Sequence, residues 1–217
     1  MPFLPKHAAA ACIRRSRRLL GLAMHSKLPD SRARNDLRRT ALVLAVASLD
    51  AYMHWLVFRR LSDVRKTENL PNALAKFLLP FANLAELADE VIVARRRSPK
   101  SNCRPWVMVK AAMQERLLKE TFQSYDNVST ALALAGFKKG WSRVSELLGV
   151  PCDEIKLGLG EIVHRRNQIV HEGDIVRLVR PRDLSYNDIS HDEIAARVDW
   201  IEELIASIQA MVDEEQP

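Results

Sequence analysis

An all-α fold is what this sequence predicts, and three observations predict it. Apolar residues recur at spacings of three and four along most of the chain, which is the helical period. Only 7 of the 217 residues are glycine, and no sustained alternating Val/Ile/Thr run marks a half-buried strand. Apolar residues make up 47% of the chain and charged residues 28%, a globular composition at a length that supports one domain with a real core, or one domain with an added arm.

Taken in order, residues 6–24 read as a short basic helix, which Leu28-Pro29-Asp30-Ser31 breaks. Asp30 or Ser31 can cap the next helix. We divide the chain there, into an N-terminal basic helical arm (residues 1–30) and a helical domain (residues 31–217). The domain opens with a long helix to about Lys66, in which Leu42, Val46, Leu49, Met53 and Leu56 form an apolar seam. Asp50 and His54 lie beside that seam, one turn apart. The plainest account of Asp50 is a boundary residue hydrogen-bonded to a neighbouring helix.

After a turn at Leu70-Pro71-Asn72, a short helix spans 73–79 and stops at Pro80. A helix over 81–97 gathers Phe81, Leu84, Ala85, Ala88, Val91 and Ile92 on one face and ends in Arg95-Arg96-Arg97. Cations at a helix C-terminus suit the macrodipole; the same triplet can also contact phosphate. The loop 98–105 joins this helix to one running from Trp106 to about Tyr125. Asp126-Asn127 reads as a turn or cap, and short helices come next, over 128–135 and from Lys138 to Gly149.

A helix beginning near Asp153 carries Ile155, Leu159, Ile162, Ile169 and Val170 as a buried stripe. At about 100° per residue, Arg166 falls within that stripe. A buried guanidinium is costly alone, so Arg166 is expected to meet a carboxylate, carbonyls or a ligand's phosphate. Asn167 and His171 share another face with His164. Gly173 can close the helix, which leaves His171 in the last turn. There the dipole favours a cation. Arg166 and His171 are five residues apart, roughly 140° around an ideal helix, so they converge only through helix distortion, a wrapped arginine or a second subunit. Residues 174–189 read as irregular, with a short extended piece at 175–179. Ser190-His191-Asp192-Glu193 fits the Ser-x-x-Glu capping box of a final helix with Ile194, Val198, Ile201, Leu204, Ile205 and Ile208 inward.

The net charge of +6 is unevenly spread. Residues 1–40 hold ten Lys/Arg against two acids, whereas the chain from Tyr186 onward holds one Arg and nine acids. A basic front half suits nucleic acid or an acidic partner, and equally a set of solvated helix faces. Cys12, Cys103 and Cys152 are odd in number and far apart, which points to reduced thiols in a cytoplasmic protein rather than disulfides or zinc. No run of ~18 apolar residues stands out, so no membrane span is expected. The Arg-rich, acid-poor N-terminus resembles a transit peptide superficially, and an ordinary first helix accounts for it as well.

The chain has no Gly-rich phosphate loop, GxSxG or HExxH motif. His164, His171 and Asp174 are a poor basis for a metal site, and no metal or cofactor is expected. Cys152 reads as a core thiol. What remains is the arginine–histidine pair. Metal-free RNA cleavage needs a base for the 2′-OH, a cation for the charged transition state and an acid for the leaving 5′-oxygen. One pair supplies these thinly, and two copies at a dimer interface supply them well.

The run Arg166-Asn167-Gln168-Ile169-Val170-His171 resembles the Arg-x4–6-His motif of the HEPN superfamily, including the polar residue after the arginine. Its flanks, IVHRRNQIVHEGD, and the early helix ALVLAVASLDAYMHWLV, which contains Asp50, look like the RiboL-PSP type of HEPN domain. The likeness covers about residues 35–212. It implies an all-α, HEPN-like helical bundle with additional short helices and an N-terminal basic helix, the last lying outside the family core. It further implies a metal-independent endoribonuclease in toxin–antitoxin or antiviral, abortive-infection defence. Its partners would be RNA as substrate, a second copy completing a composite active site, and an antitoxin or other defence protein. By the same resemblance, Arg166 and His171 are catalytic, Asn167 orients them and Asp50 faces the motif as the carboxylate Arg166 needs. Two other readings stand beside it: a non-catalytic RNA- or protein-binding scaffold, in which Arg166, Asp50 and His171 are structural, and a helical nucleic-acid-binding regulator.

Overall fold

The computed structural model of the chain describes residues 4–25, 31–64, 70–97, 105–177 and 183–214. Among these residues there are nine helices and no strands. They are α1 (Pro5–Ala23), α2 (Ser31–Asp63), α3 (Asn72–Ala75), α4 (Phe81–Arg97), α5 (Pro105–Leu117), α6 (Tyr125–Leu134), α7 (Gly140–Leu148), α8 (Cys152–Glu172) and α9 (His191–Glu214). The loop 98–104, the residues before Ser31 expected to cap α2, Cys103, and residues 178–182 lie outside the described residues.

Helix α2 is the hub. It touches α1, α5, α6, α8 and α9, and Leu42, Val46, Leu49, Met53 and Leu56 are all buried along it. Each such side chain withdrawn from water contributes about 1.5–3 kcal/mol. Its composition is more apolar than the length of any unbroken run conveys. An 18-residue window has a mean hydropathy of 1.7, which is enough by length and composition to cross a membrane, and 56% of that window is buried inside the fold. Scattered polar residues interrupt the apolar run without lowering the mean much.

Helix α1, expected as an arm, packs along α2 and also meets α9. Ala9, Ile13, Leu20 and Ala23 are buried, and the buried Ser16 Oγ donates to Ala41 O at 2.7 Å. Arg17 binds Asp199 at 2.8 Å and also Glu202. Basic front and acidic tail therefore meet within one bundle. Helix α9 buries Ile194, Val198, Ile201, Leu204 and Ile208, and Ser190 Oγ accepts the Glu193 N–H at 3.1 Å, capping it as the capping-box spacing predicts.

Two expectations are corrected, and one helix face proves to be open. The helix from Trp106 ends at Leu117 rather than near Tyr125, because Phe122 N–H is taken by Asp50 Oδ1 at 2.5 Å and the Phe122 ring is buried against His54, centroids 4.7 Å apart. Ser124, not Asp126 or Asn127, caps α6, accepting from Asn127 N–H at 3.2 Å. The apolar face of α4 is not a core face. Phe81 is 83% exposed, and Leu84 and Ile92 are 45% and 46% exposed; the helix meets α5 and leaves these side chains outside.

Candidate active site

Helix α8 begins after Pro151, with Asp153 and Glu154 in its first turn, where carboxylates suit the positive end of the dipole. Ile155, Leu159 and Ile162 face the core. The next inward position is Arg165, three residues on, and not Arg166. The chain leaving α8 folds back over the Arg165 side, and this decides which of the two arginines is enclosed.

That return passes through two left-handed residues, Gly173 (φ +64°) and Asp174 (φ +58°). Asp174 is fully buried. Its carboxylate accepts from Arg165 Nη1, from Arg165 Nη2 at 3.1 Å, from Arg39 Nε at 2.5 Å and from Asn187 Nδ2 at 3.1 Å. Its carbonyl accepts the Asn187 N–H at 2.9 Å, and Ile175 bridges to Tyr186 beside it. Two guanidiniums share one carboxylate. The excess positive charge is met by the Asn187 and Asp188 carbonyls, at 3.0 and 3.1 Å, and by Asp36 at 3.1 Å from Arg39. The Arg39 guanidinium also lies over the Tyr186 ring, 5.4 Å from its centroid. This clamp ties the start of α2, the end of α8 and the 183–189 segment together.

Arg166 is left outside the clamp. It is half-buried, its Nη1 donates to Asn167 Oδ1 at 3.0 Å, and its buried Nε has no hydrogen-bond partner among the described residues. His171 is exposed in the last turn. The helix is continuous from Cys152 to Glu172, so distortion does not bring the two together within one chain. The structure joins Arg166 to Asn167; it leaves His171 on an open face.

Asp50 is not Arg166's partner. It is occupied by Phe122 N–H and lies 3.8 Å from His54 Nε2. It also lies along the bundle from the motif. Arg39, at the α8 C-terminus, and Asp50 are eleven residues apart on α2, about 16 Å of helix axis. The Asp50 end adjoins the start of α6, where Lys156 from the beginning of α8 lies over the Tyr125 ring, 5.6 Å from its centroid. The early acid thus organises the α5–α6 connection, in keeping with its plainest account as a boundary residue.

Sequence reasoning missed Arg165, Asp174, Arg39 and Asn187. The signal available was the doublet Arg165-Arg166 followed by Gly173-Asp174, since aspartate tolerates the left-handed region better than most residues. Asp174 does not join His164 and His171; it points inward to its arginines. The outer face of α8 is otherwise open: Leu157 is 65% exposed, Gly160 has nothing within 4 Å of an added Cβ, and His164 lies in the same shallow depression as both. Val170, expected in the buried stripe, is 45% exposed on another side near the helix end.

A sequence model described as RiboL-PSP-HEPN matches residues 12–214. The chain belongs to the RiboL-PSP-HEPN family. That match begins inside α1, so the family pattern takes in most of the basic helix that a boundary at residue 30 would set apart. No curated protein and no solved structure matches the chain.

Proposed function

We propose that this RiboL-PSP-HEPN protein is a metal-independent endoribonuclease. One observation supports the proposal: of two adjacent arginines, Arg165 takes the buried carboxylate, whereas Arg166 makes no ion pair among the described residues and lies five residues before the exposed His171 on the same helix. A guanidinium spared from structural pairing is suited to a phosphate.

The chemistry assigns Arg166 to the scissile phosphate and the build-up of charge on it, with Asn167 holding the guanidinium plane. An imidazole at His171 takes the proton from the 2′-OH as that oxygen bonds to phosphorus, or gives one to the 5′-oxygen as the P–O5′ bond breaks. The products are a 2′,3′-cyclic phosphate and a free 5′-OH. The open α8 face around Leu157 and Gly160 is where we dock a second copy, so that base and acid come from two chains. A growth-arresting or antiviral role in the cytoplasm, restrained by a partner protein, completes the proposal.

The test is cleavage of RNA in EDTA. Wild-type protein is expected to cut, and His171→Ala and Arg166→Ala are expected not to. Mixing the two inactive variants restores part of the activity if a site draws on both subunits. Equal cutting by the variants, or none by wild type on any RNA, ends the proposal.

A further inference from the structure

A cleft of about 640 Å³ opens at the α6–α7 connection, between it, α3 and the end of α2. Two glycines build it. Gly136 has φ +95°, and an added Cβ would meet Pro71 at 3.3 Å; at Gly140 it would strike Leu132 at 2.8 Å. The backbone can approach α3 and α6 this closely only without side chains there, and the close approach fixes the cleft wall.

The cleft's charge is one-sided. Arg60, Lys138 and Lys139 line it, all three are exposed, and no carboxylate among the described residues lines it. Several surface cations elsewhere pair with an acid, among them Arg17, Arg143, Arg116, Lys119 and Arg197. Phe137, packed on the core, adds an aromatic surface to the same wall. Cations with no facing acid among the described residues, in a concave site with an aromatic wall, suit a phosphate chain with stacked bases.

We infer that this cleft binds the phosphate backbone of RNA, as an accessory site separate from Arg166 and His171. It rests on the endoribonuclease proposal for the identity of its ligand. The cleft adjoins the start of α8, where Cys152 Sγ lies 3.5 Å from Trp141 O in the first turn of α7, whereas the motif is at the other end of α8. The intervening helix is about 20–30 Å long, roughly six to nine stacked nucleotides at about 3.4 Å each. RNA long enough to span both sites gains affinity that shorter RNA does not.

The test uses a fluorescent single-stranded RNA of about 20 nucleotides, 2′-O-methylated throughout so that no 2′-OH can attack, with the intact protein. Lys138→Ala/Lys139→Ala is compared with a charge-matched control, Arg18→Ala/Lys119→Ala. The cleft variant is expected to bind at least about tenfold more weakly than the control. Its plot of log affinity against log salt is expected to flatten by about 1.4, near 0.7 per lost phosphate contact on a single strand. An affinity and slope equal to the control's would overturn the proposal. So would tight AMP binding that the cleft variant loses while its RNA affinity holds, since the site would then serve a small phosphorylated ligand. Because the probe cannot be cut, the result reads independently of cleavage: a lost affinity alongside inert wild-type protein leaves the cleft standing and removes the nuclease.

Discussion

Arg165 and Asp174, nine residues apart, close the end of α8 onto the chain that leaves it, with both guanidinium Nη atoms on one buried carboxylate. The pair is a hinge pin for the site, because His171 lies between its two members. Removing Asp174 leaves two buried guanidiniums without their carboxylate, whereas removing Arg165 leaves Asp174 with Arg39 and Asn187.

Asp174→Ala is therefore expected to lower stability by about 3–5 kcal/mol, read as an earlier urea midpoint, and Arg165→Ala by less, because Arg39 still pairs with Asp174. Arg166→Ala, which breaks no ion pair among the described residues, is expected to stay within about 1 kcal/mol of wild type. A collapse of the Arg166 variant on the same scale would return that residue to a structural role.

For Asp50, the structure forecasts a change of fold stability and not of chemistry. Asp50→Ala orphans the Phe122 N–H, which is expected to cost about 1–3 kcal/mol. RNA cleavage by the folded variant should persist, since the carboxylate sits about 16 Å along α2 from the clamp. A variant with full stability and no cleavage would place Asp50 in the reaction after all.

Tyr52 sets an alkaline limit. Burial, with Asp213 second, raises its phenol well above the ordinary value of 10.0, and its hydroxyl donates to Gln209 Oε1 at 3.1 Å. The unfolded phenol loses its proton first, so this contribution is complete below pH 10 and falls away as pH rises beyond it. Unfolding midpoints measured from pH 8 to 11 should decline more steeply above pH 10 for wild type than for Tyr52→Phe. Parallel declines would refute the assignment.

Much of this molecule was legible from its residues. The seam Leu42 to Leu56 and the stripe Ile194 to Ile208 show their helices because burial on one side imposes the period. The motif helix was legible for the same reason, yet the period alone misplaces its arginine. Helical angle puts Arg166 near the stripe's centre, but enclosure depends on what lies opposite, and the return of the chain at Asp174 covers Arg165 instead. Asp50 failed similarly: proximity to an apolar seam says that a carboxylate has a partner, not which one, and the Phe122 N–H is 72 residues away in sequence. The exposed face of α4 shows the converse, since an apolar stripe carries no mark of whether this chain covers it.

Helix α9 packs against both α1 and α2, and its acids Asp199 and Glu202 hold Arg17. Its apolar stripe therefore completes a core that the first two helices only begin. On a ribosome, those two helices emerge with their apolar sides uncovered and wait through more than a hundred residues of synthesis for the segment that seals them. The same delay governs the clamp, because Asn187 is made after Asp174 and Arg39 long before either. The fold thus withholds a finished turn at His171 from a nascent chain until Asn187, and the α9 helix that seals the core, have been made.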